Sequence, residues 1–235
     1  NMPYGPRPTS ELFTLTVRAL AFLSTEGATQ FISACNSVSV SVIQPLIEQR
    51  SFTKTHIIEM VGPAVNMFQK IKHGTLLVAA TQATVRSGMY ERAFQEKGIS
   101  IEMIALPELA RAIEDAADQH ILSRMIEPAV EKAIALKAST FVFGCTQYPF
   151  VKSIFEDLFL ARRYRIDFFD PSEAVVDTAI REFNTSGNGL NLFFVSKQSH
   201  VFDQTAQRLF GQDVQVKVID VSKRTKKADG KSAKV

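Results

Sequence analysis

The residues of this sequence best suited to proton chemistry are two cysteines that no structural role explains together. The chain contains only Cys35 and Cys145, with no CxxC pair and no neighbouring histidine. Metal ligation draws on three or four clustered ligands, so no metal site is expected. A disulfide is not expected in a chain without a secretory signature. What the two thiols share is their setting. Phe31-Ile32-Ser33-Ala34-Cys35-Asn36-Ser37 and Phe141-Val142-Phe143-Gly144-Cys145-Thr146-Gln147 follow one plan: apolar strand, one small residue, a cysteine, then a polar pair that opens a helix. A lone cysteine after an apolar strand is ordinarily a small buried hydrophobe. The same setting twice argues for a shared task.

Unpaired N–H groups and the macrodipole at a helix N-terminus favour negative charge. Such a position is expected to lower a thiol's pKa toward the working range and can also hold a carboxylate. Two thiols facing each other across one carbon suggest a specific reaction: one thiolate removes the proton from Cα while the opposite thiol delivers another to the other face. The product has inverted configuration, which defines a racemase or epimerase. That chemistry requires no cofactor. None is signalled either, because the chain has no GxGxxG, no P-loop and no lysine in a pyridoxal-phosphate context.

The elements that must hold these thiols follow from apolar spacing. Helices are expected over Thr9 to Glu26, capped by Thr9 or Ser10 and stopped by Gly27, and over Val38 to Gln49, broken by Pro45. Further helices are expected over 64–72, 87–97, 107–117, 119–136, 149–160, 177–183 and 201–210. Short apolar strands are expected at 29–34, 57–61, 76–80, 100–105, 140–143, 165–169, 192–196 and 215–219, with 186–191 as a linker. Strands alternating with helices predict an α/β fold with parallel sheets, flanked by helices on both faces. Ligands in such sheets bind beyond the carboxyl ends of strands, where both cysteines and the Thr81–Thr84 loop fall. Thr81, Thr84 and Ser87 taken singly are helix-capping types. Tyr4-Gly5 taken alone is a turn, and Glu114 a solvated helix-face residue.

Composition narrows the class. Of 235 residues, 46% are hydrophobic and 22% charged, ordinary values for a globular protein. The net charge of +3 owes much to Lys217, Lys223, Arg224, Lys226, Lys227, Lys231 and Lys234 near the end of the chain. No nucleic-acid partner is expected from that pattern. No apolar run approaches the ~20 residues that span a bilayer, so no membrane partner is expected and the chain reads as cytoplasmic. Asn1 precedes Met2, and the sequence enters directly on Pro3-Tyr4-Gly5, so residues before position 1 are expected.

Five motifs in order give these features a family context: Pro3-Tyr4-Gly5, Ala34-Cys35-Asn36-Ser37, Ala80-Thr81-Gln82-Ala83-Thr84-Val85 with Ser87 and Tyr90, Gly144-Cys145-Thr146-Gln147-Tyr148-Pro149, and Asp170-Pro171-Ser172. The succession resembles glutamate racemases of the aspartate/glutamate racemase superfamily from residue 3 to about residue 220. The resemblance implies two pseudo-symmetric α/β domains, 1–63 plus 171–235 and 64–170, with the active site in the cleft between them. It makes Cys35 and Cys145 the acid/base pair. It gives Tyr4, Gly5, Asn36, Ser37, Thr81, Thr84, Thr146 and Gln147 to substrate binding and Glu114 an assisting role. It also implies glutamate as substrate, with an aspartate or broad-specificity amino-acid racemase as the alternative, a supply of D-glutamate to peptidoglycan, and a homodimer.

The sequence departs from the family in three places. Gln147 stands where the family motif has histidine, and glutamine cannot exchange a proton near neutral pH. Ser37 replaces the usual threonine and keeps the hydroxyl. The family's opening strand, with its Asp-Ser-Gly segment, has no counterpart in residues 1–235. The departures at Gln147 and at the opening strand keep open a second class of function, a catalytically silent protein that binds an acidic amino acid.

Overall fold

The computed structural model describes residues 7–48, 56–69, 74–183, 186, 191–211 and 214–220. Its first part holds α1 (Thr9–Thr25), β1 (Gln30–Ile32), α2 (Asn36–Val38), a π-helical stretch (Ser39–Ile43), α3 (Gln44–Glu48), β2 (His56–Ile58) and α4 (Val61–Phe68). Next come β3 (Leu76–Ala80), α5 (Gln82–Ser87), α6 (Met89–Gln95), β4 (Ile101–Ala105), α7 (Leu109–Glu114) and α8 (Gln119–Ala135). After β5 (Thr140–Gly144) the chain makes a 3-10 turn (Tyr148–Val151), α9 (Lys152–Ala161), β6 (Asp167–Phe169) and α10 (Pro171–Glu182). It then continues through β7 (Phe193–Val195), α11 (His200–Phe210) and β8 (Val216–Val218). Every strand pairing among the described residues is parallel, which is the α/β architecture expected.

The largest sheet has four strands in the order β4-β3-β5-β6. Its central strands show why it is covered on both sides. Leu77, Ala79, Phe141 and Phe143 enter one apolar cluster with Ile126, Val130 and Phe155 of α8 and α9. Leu76, Val78 and Val142 enter another with Val61, Val65 and Phe68 of α4 and Tyr90 and Phe94 of α6. The alternation is the two-residue period of a strand, here apolar on both faces. β1 and β2 form a separate pair, as do β7 and β8.

Several boundaries differ from the sequence expectation, each for a local reason. Pro8, not Thr9 or Ser10, occupies the N-cap of α1, and no side chain caps it. Pro45 does not break its helix. The chain passes through the π-helical stretch and continues as α3, a wider winding that accommodates a residue without an N–H. α4 starts at Val61, three residues earlier than the apolar spacing suggests, because the buried Glu59 carboxylate accepts from the Val61 N–H at 2.6 Å and the Gly62 N–H at 2.7 Å. The helix expected from Ser87 to Lys97 is the shorter α6, and the segment expected as the Thr81–Thr84 loop is largely helical as α5, the two being divided at Gly88 with φ 61°. α7 spans only six residues of the expected 107–117. The helix expected over 149–160 begins as the 3-10 turn. α10 starts six residues before Asp177, since Asp170 caps it by accepting from the Ser172 N–H at 2.9 Å and Pro171 fits its first turn. The ends of the Val38 to Gln49 and Ala64 to Lys72 helices, most of the 186–191 linker, and the basic residues from Lys223 onward lie outside the described residues.

One glycine fixes the approach of β5 to β3. Ala80 is in register with Gly144, and a Cβ at Gly144 would lie 2.8 Å from Ala80 Cβ and 3.0 Å from the Ala79 carbonyl oxygen. Gly144→Ala must therefore push β5, and Cys145 with it, away from β3. An expected cost of about 1–3 kcal/mol from overpacking should be read in urea denaturation; a loss below ~0.5 kcal/mol would mean that the strands separate freely here.

Candidate active site

Cys35 sits between β1 and α2, and Cys145 directly follows β5. Cys145 is buried and Cys35 half-buried, and both are free thiols. Each sulfur accepts local backbone N–H groups: those of Ser37 and Val38 at Cys35, and those of Gln147 and Tyr148 at Cys145. Those donors lower both thiol pKa values, as expected from the sequence. Desolvation outweighs them. Burial raises the Cys35 thiol above its ordinary value, and it pushes Cys145 up to about 12. The expectation of depressed thiol pKa values is therefore corrected: removal of water is the larger effect.

The two sulfurs are close enough to act on each other, since charge on Cys35 further raises Cys145. Glu114, at the end of α7, raises both. Its own carboxyl lies above the usual range through partial burial and then through the neighbouring Asp115. Gln147 joins this group directly, its amide Nε2 donating to Glu114 Oε1 at 2.6 Å. Glu114 is thus not merely a solvated face residue. Thr146 Oγ1 donates to the Ala34 carbonyl at 3.2 Å, linking the segment after β5 to the one before Cys35.

The remaining candidates gather on the Cys35 side. Ser37 Oγ lies 2.8 Å from Thr81 Oγ1 and 3.4 Å from Thr84 Oγ1, and the two threonine hydroxyls are 3.0 Å apart. Thr81 also caps α5 by accepting from the Thr84 N–H, so the capping and site readings of that residue hold together. Asn36 is 2% exposed, and its Oδ1 accepts from the Tyr90 hydroxyl at 2.5 Å. Its Nδ2 has no hydrogen-bond partner. The structure thus brings together Cys35, Cys145, Asn36, Ser37, Thr81, Thr84, Glu114, Thr146 and Gln147. Tyr4 and Gly5 lie outside the described residues.

Two participants were not singled out from sequence. Tyr90 appeared only within a motif, and nothing local marks a helix tyrosine as the partner of a residue 54 positions away. Ser39 reads as a helix residue, yet its hydroxyl donates to the Ser33 carbonyl and accepts from the Met60 N–H, both at 3.2 Å. Among the described residues, no group of three or more His, Cys, Asp or Glu side chains is placed to hold a metal ion.

A parallel α/β protein carrying two neighbouring thiols, one after β1 and one after β5, has a form suited to proton transfer. The Asp/Glu/Hydantoin racemase family model matches residues 7–179, and the chain belongs to that family. It is an isomerase, an amino-acid racemase. The chain is 28% identical over 228 residues to a glutamate racemase of Fusobacterium nucleatum, covering 92% of this chain and 83% of the relative. It is 23% identical over 229 residues to a glutamate racemase of Persephonella marina, covering 94% and 85%. Its fold matches the crystal structure of glutamate racemase from Francisella tularensis in complex with D-glutamate, with a TM-score of 0.79 at 19% identity, over 94% of this chain and 84% of that one. No helix among the described residues is long and apolar enough to cross a membrane.

The raised thiols make a direct prediction. With Cys145 titrating at about 12, its alkylation by iodoacetamide should climb about tenfold per pH unit between pH 7 and 10, because only the thiolate reacts. Peptide mass spectrometry reads the rate at each cysteine separately. A plateau at Cys145 near pH 8–9, the range of an ordinary thiol, would contradict desolvation as the dominant effect.

Proposed function

We propose that this chain interconverts L- and D-glutamate by proton transfer between two thiols at Cα, and that it supplies D-glutamate for peptidoglycan. The observation that carries the mechanism is the nearness of the two thiols, close enough that charge on Cys35 disfavours the thiolate of Cys145. Two like charges in one desolvated place do not coexist, so the working form has one thiolate and one thiol. The thiolate takes the α-proton as a general base and becomes a thiol, leaving a carbanion stabilised by the adjoining carboxyl group. The opposite thiol then gives its proton to the other face and becomes the thiolate. Each turnover exchanges the two roles, so L→D and D→L use the same residues in opposite order.

Binding of an amino acid offsets the desolvation of the thiols. An ammonium group close to both sulfurs favours the thiolate over the thiol, countering the desolvation that raises them. The Ser37, Thr81 and Thr84 hydroxyls and the Asn36 and Thr146 side chains are suited to the polar ends of the substrate. Glutamate is the substrate favoured by the likeness to glutamate racemases, including the Francisella tularensis protein solved with D-glutamate. The hydrogen bonds that Asn36 and the Ala34 carbonyl accept from Tyr90 and Thr146, and the one between Ser37 and Thr81, fit a site at a junction of two domains, 1–63 plus 171–235 and 64–170. Tyr4 and Gly5 complete the proposed binding set.

The test is exchange in heavy water, with proton NMR following loss of the α-proton and circular dichroism following inversion. The wild-type protein should exchange and invert both enantiomers of glutamate. Cys35→Ser and Cys145→Ser should each reduce racemisation by at least about 10³-fold, since inversion needs an acid and a base on opposite faces. Each variant should keep its residual exchange on the opposite enantiomer. Exchange on aspartate alone would change the substrate and keep the chemistry. Tight glutamate binding with no exchange would make the protein a silent binder.

A further inference from the structure

The buried contact between Tyr90 and Asn36 is not explained by folding alone. Tyr90 is fully buried on α6, Asn36 opens α2 beside Cys35, and the phenol donates to Oδ1 at 2.5 Å. A primary amide in a sealed environment has two orientations, and its partners choose between them. Here the partner takes the oxygen. The NH₂ group is left with two donors, no acceptor, and 2% exposure of the residue to water. A buried donor without a partner costs about 1–3 kcal/mol, so a stable fold tolerates one where a ligand supplies the acceptor.

The surroundings say which ligand. Asn36 is adjacent in sequence to Cys35, and Tyr90 lies within electrostatic reach of Cys145, so the unpaired amide belongs to the place where the two thiols meet. Burial holds the Tyr90 phenol far above its ordinary range, with charge on Glu59, Cys145 and Asp170 acting in the same direction. The hydroxyl therefore keeps its proton and remains a donor throughout the working pH range. An unpaired neutral NH₂ group beside the thiols fits an anionic acceptor, and an amino acid brings a carboxylate.

We propose that Tyr90 is a positioning residue for substrate binding: by donating to Asn36 Oδ1 it fixes the amide orientation that turns the NH₂ group to a substrate carboxylate. The inference rests on the reading of this site as one that binds an acidic amino acid. It adds a residue outside the motif positions assigned to substrate, acting through Asn36. Without the phenol hydroxyl the amide is free to present its oxygen to the carboxylate, which repels it.

Tyr90→Phe removes one oxygen and keeps the ring that packs on Phe94. Glutamate affinity by titration calorimetry should weaken about tenfold or more, the scale of one hydrogen bond to a charged group. KM should rise in parallel, while kcat stays within about threefold because the thiols are untouched. Asn36→Asp keeps the acceptor for Tyr90 and replaces the NH₂ by oxygen, so it should fold and weaken binding more than Tyr90→Phe. A Tyr90→Phe protein with a lower melting temperature and unchanged glutamate affinity would reduce Tyr90 to packing and overturn the proposal. Wild-type protein that binds glutamate without turning it over would sink the racemase reading alone, and the affinity of Tyr90→Phe would still decide the role of Tyr90. Wild-type protein that binds neither glutamate nor aspartate would overturn both.

Discussion

A parallel strand buried on both faces has no side chain to spare for a ligand, and this constraint organises the rest of the molecule. Leu76 to Ala80 are all buried, and Phe141 to Gly144 likewise. Their side chains are committed alternately to the α8/α9 cluster and to the α4/α6 cluster. The backbone becomes available only where the strands stop. Register makes those stops coincide: Ala80 faces Gly144, so Thr81 and Cys145 leave the sheet at the same level. Gly144 keeps that level tight, since any side chain there would strike β3. The location of the site is a consequence of how the core is covered.

Burial also sets the energetics of the thiols. Backbone N–H donors at the ends of β1 and β5 favour thiolates, and removal from water disfavours them more. The pair rests protonated and awaits a cation. Glu114 adds to the same bias against thiolate at both sulfurs, and its link to Gln147 is a hydrogen bond whose donor does not titrate. A histidine in that place would change its charge near neutrality. With glutamine the proton inventory beside Cys145 shrinks to the thiol and the carboxyl. In the proposed reaction the Cys145 half therefore has fewer proton carriers at hand than a histidine would give it.

The sequence made the thiols legible through repetition, because a strand, a small residue and a cysteine occur twice at a turn into helix. It also marked Thr81 and the apolar strands, whose roles depend on neighbours within a few residues. Its failures share one cause. Pro45 predicts a broken helix, but tertiary packing accepts a π-helical passage instead. Glu59 caps α4 ahead of its apolar pattern, so spacing placed the helix start too late. The direction of the thiol shifts depends on how much water the folded chain excludes, a quantity that local sequence does not carry. The Tyr90 to Asn36 contact likewise joins residues that only the fold brings together.

The hydrogen bonds that assemble the site are the ones that connect distant parts of the chain. Asn36 meets Tyr90, Ser37 meets Thr81 and Thr84, and the Ala34 carbonyl meets Thr146. One partner in each lies just after β1, before or within α2, while the other belongs to the elements built around β3 and β5. Separating these two groups of elements would expose Cys35, release the Asn36 amide and scatter the three hydroxyls in a single movement. Entry of water would lower the thiol pKa values toward those of free cysteine, and the mutual penalty that keeps one thiol protonated would fall with the rise in dielectric. In the proposed reaction, closure and acid/base pairing are therefore one property. On that reading the thiols divide the two roles only while the polar contacts around Asn36 and Ser37 hold water out.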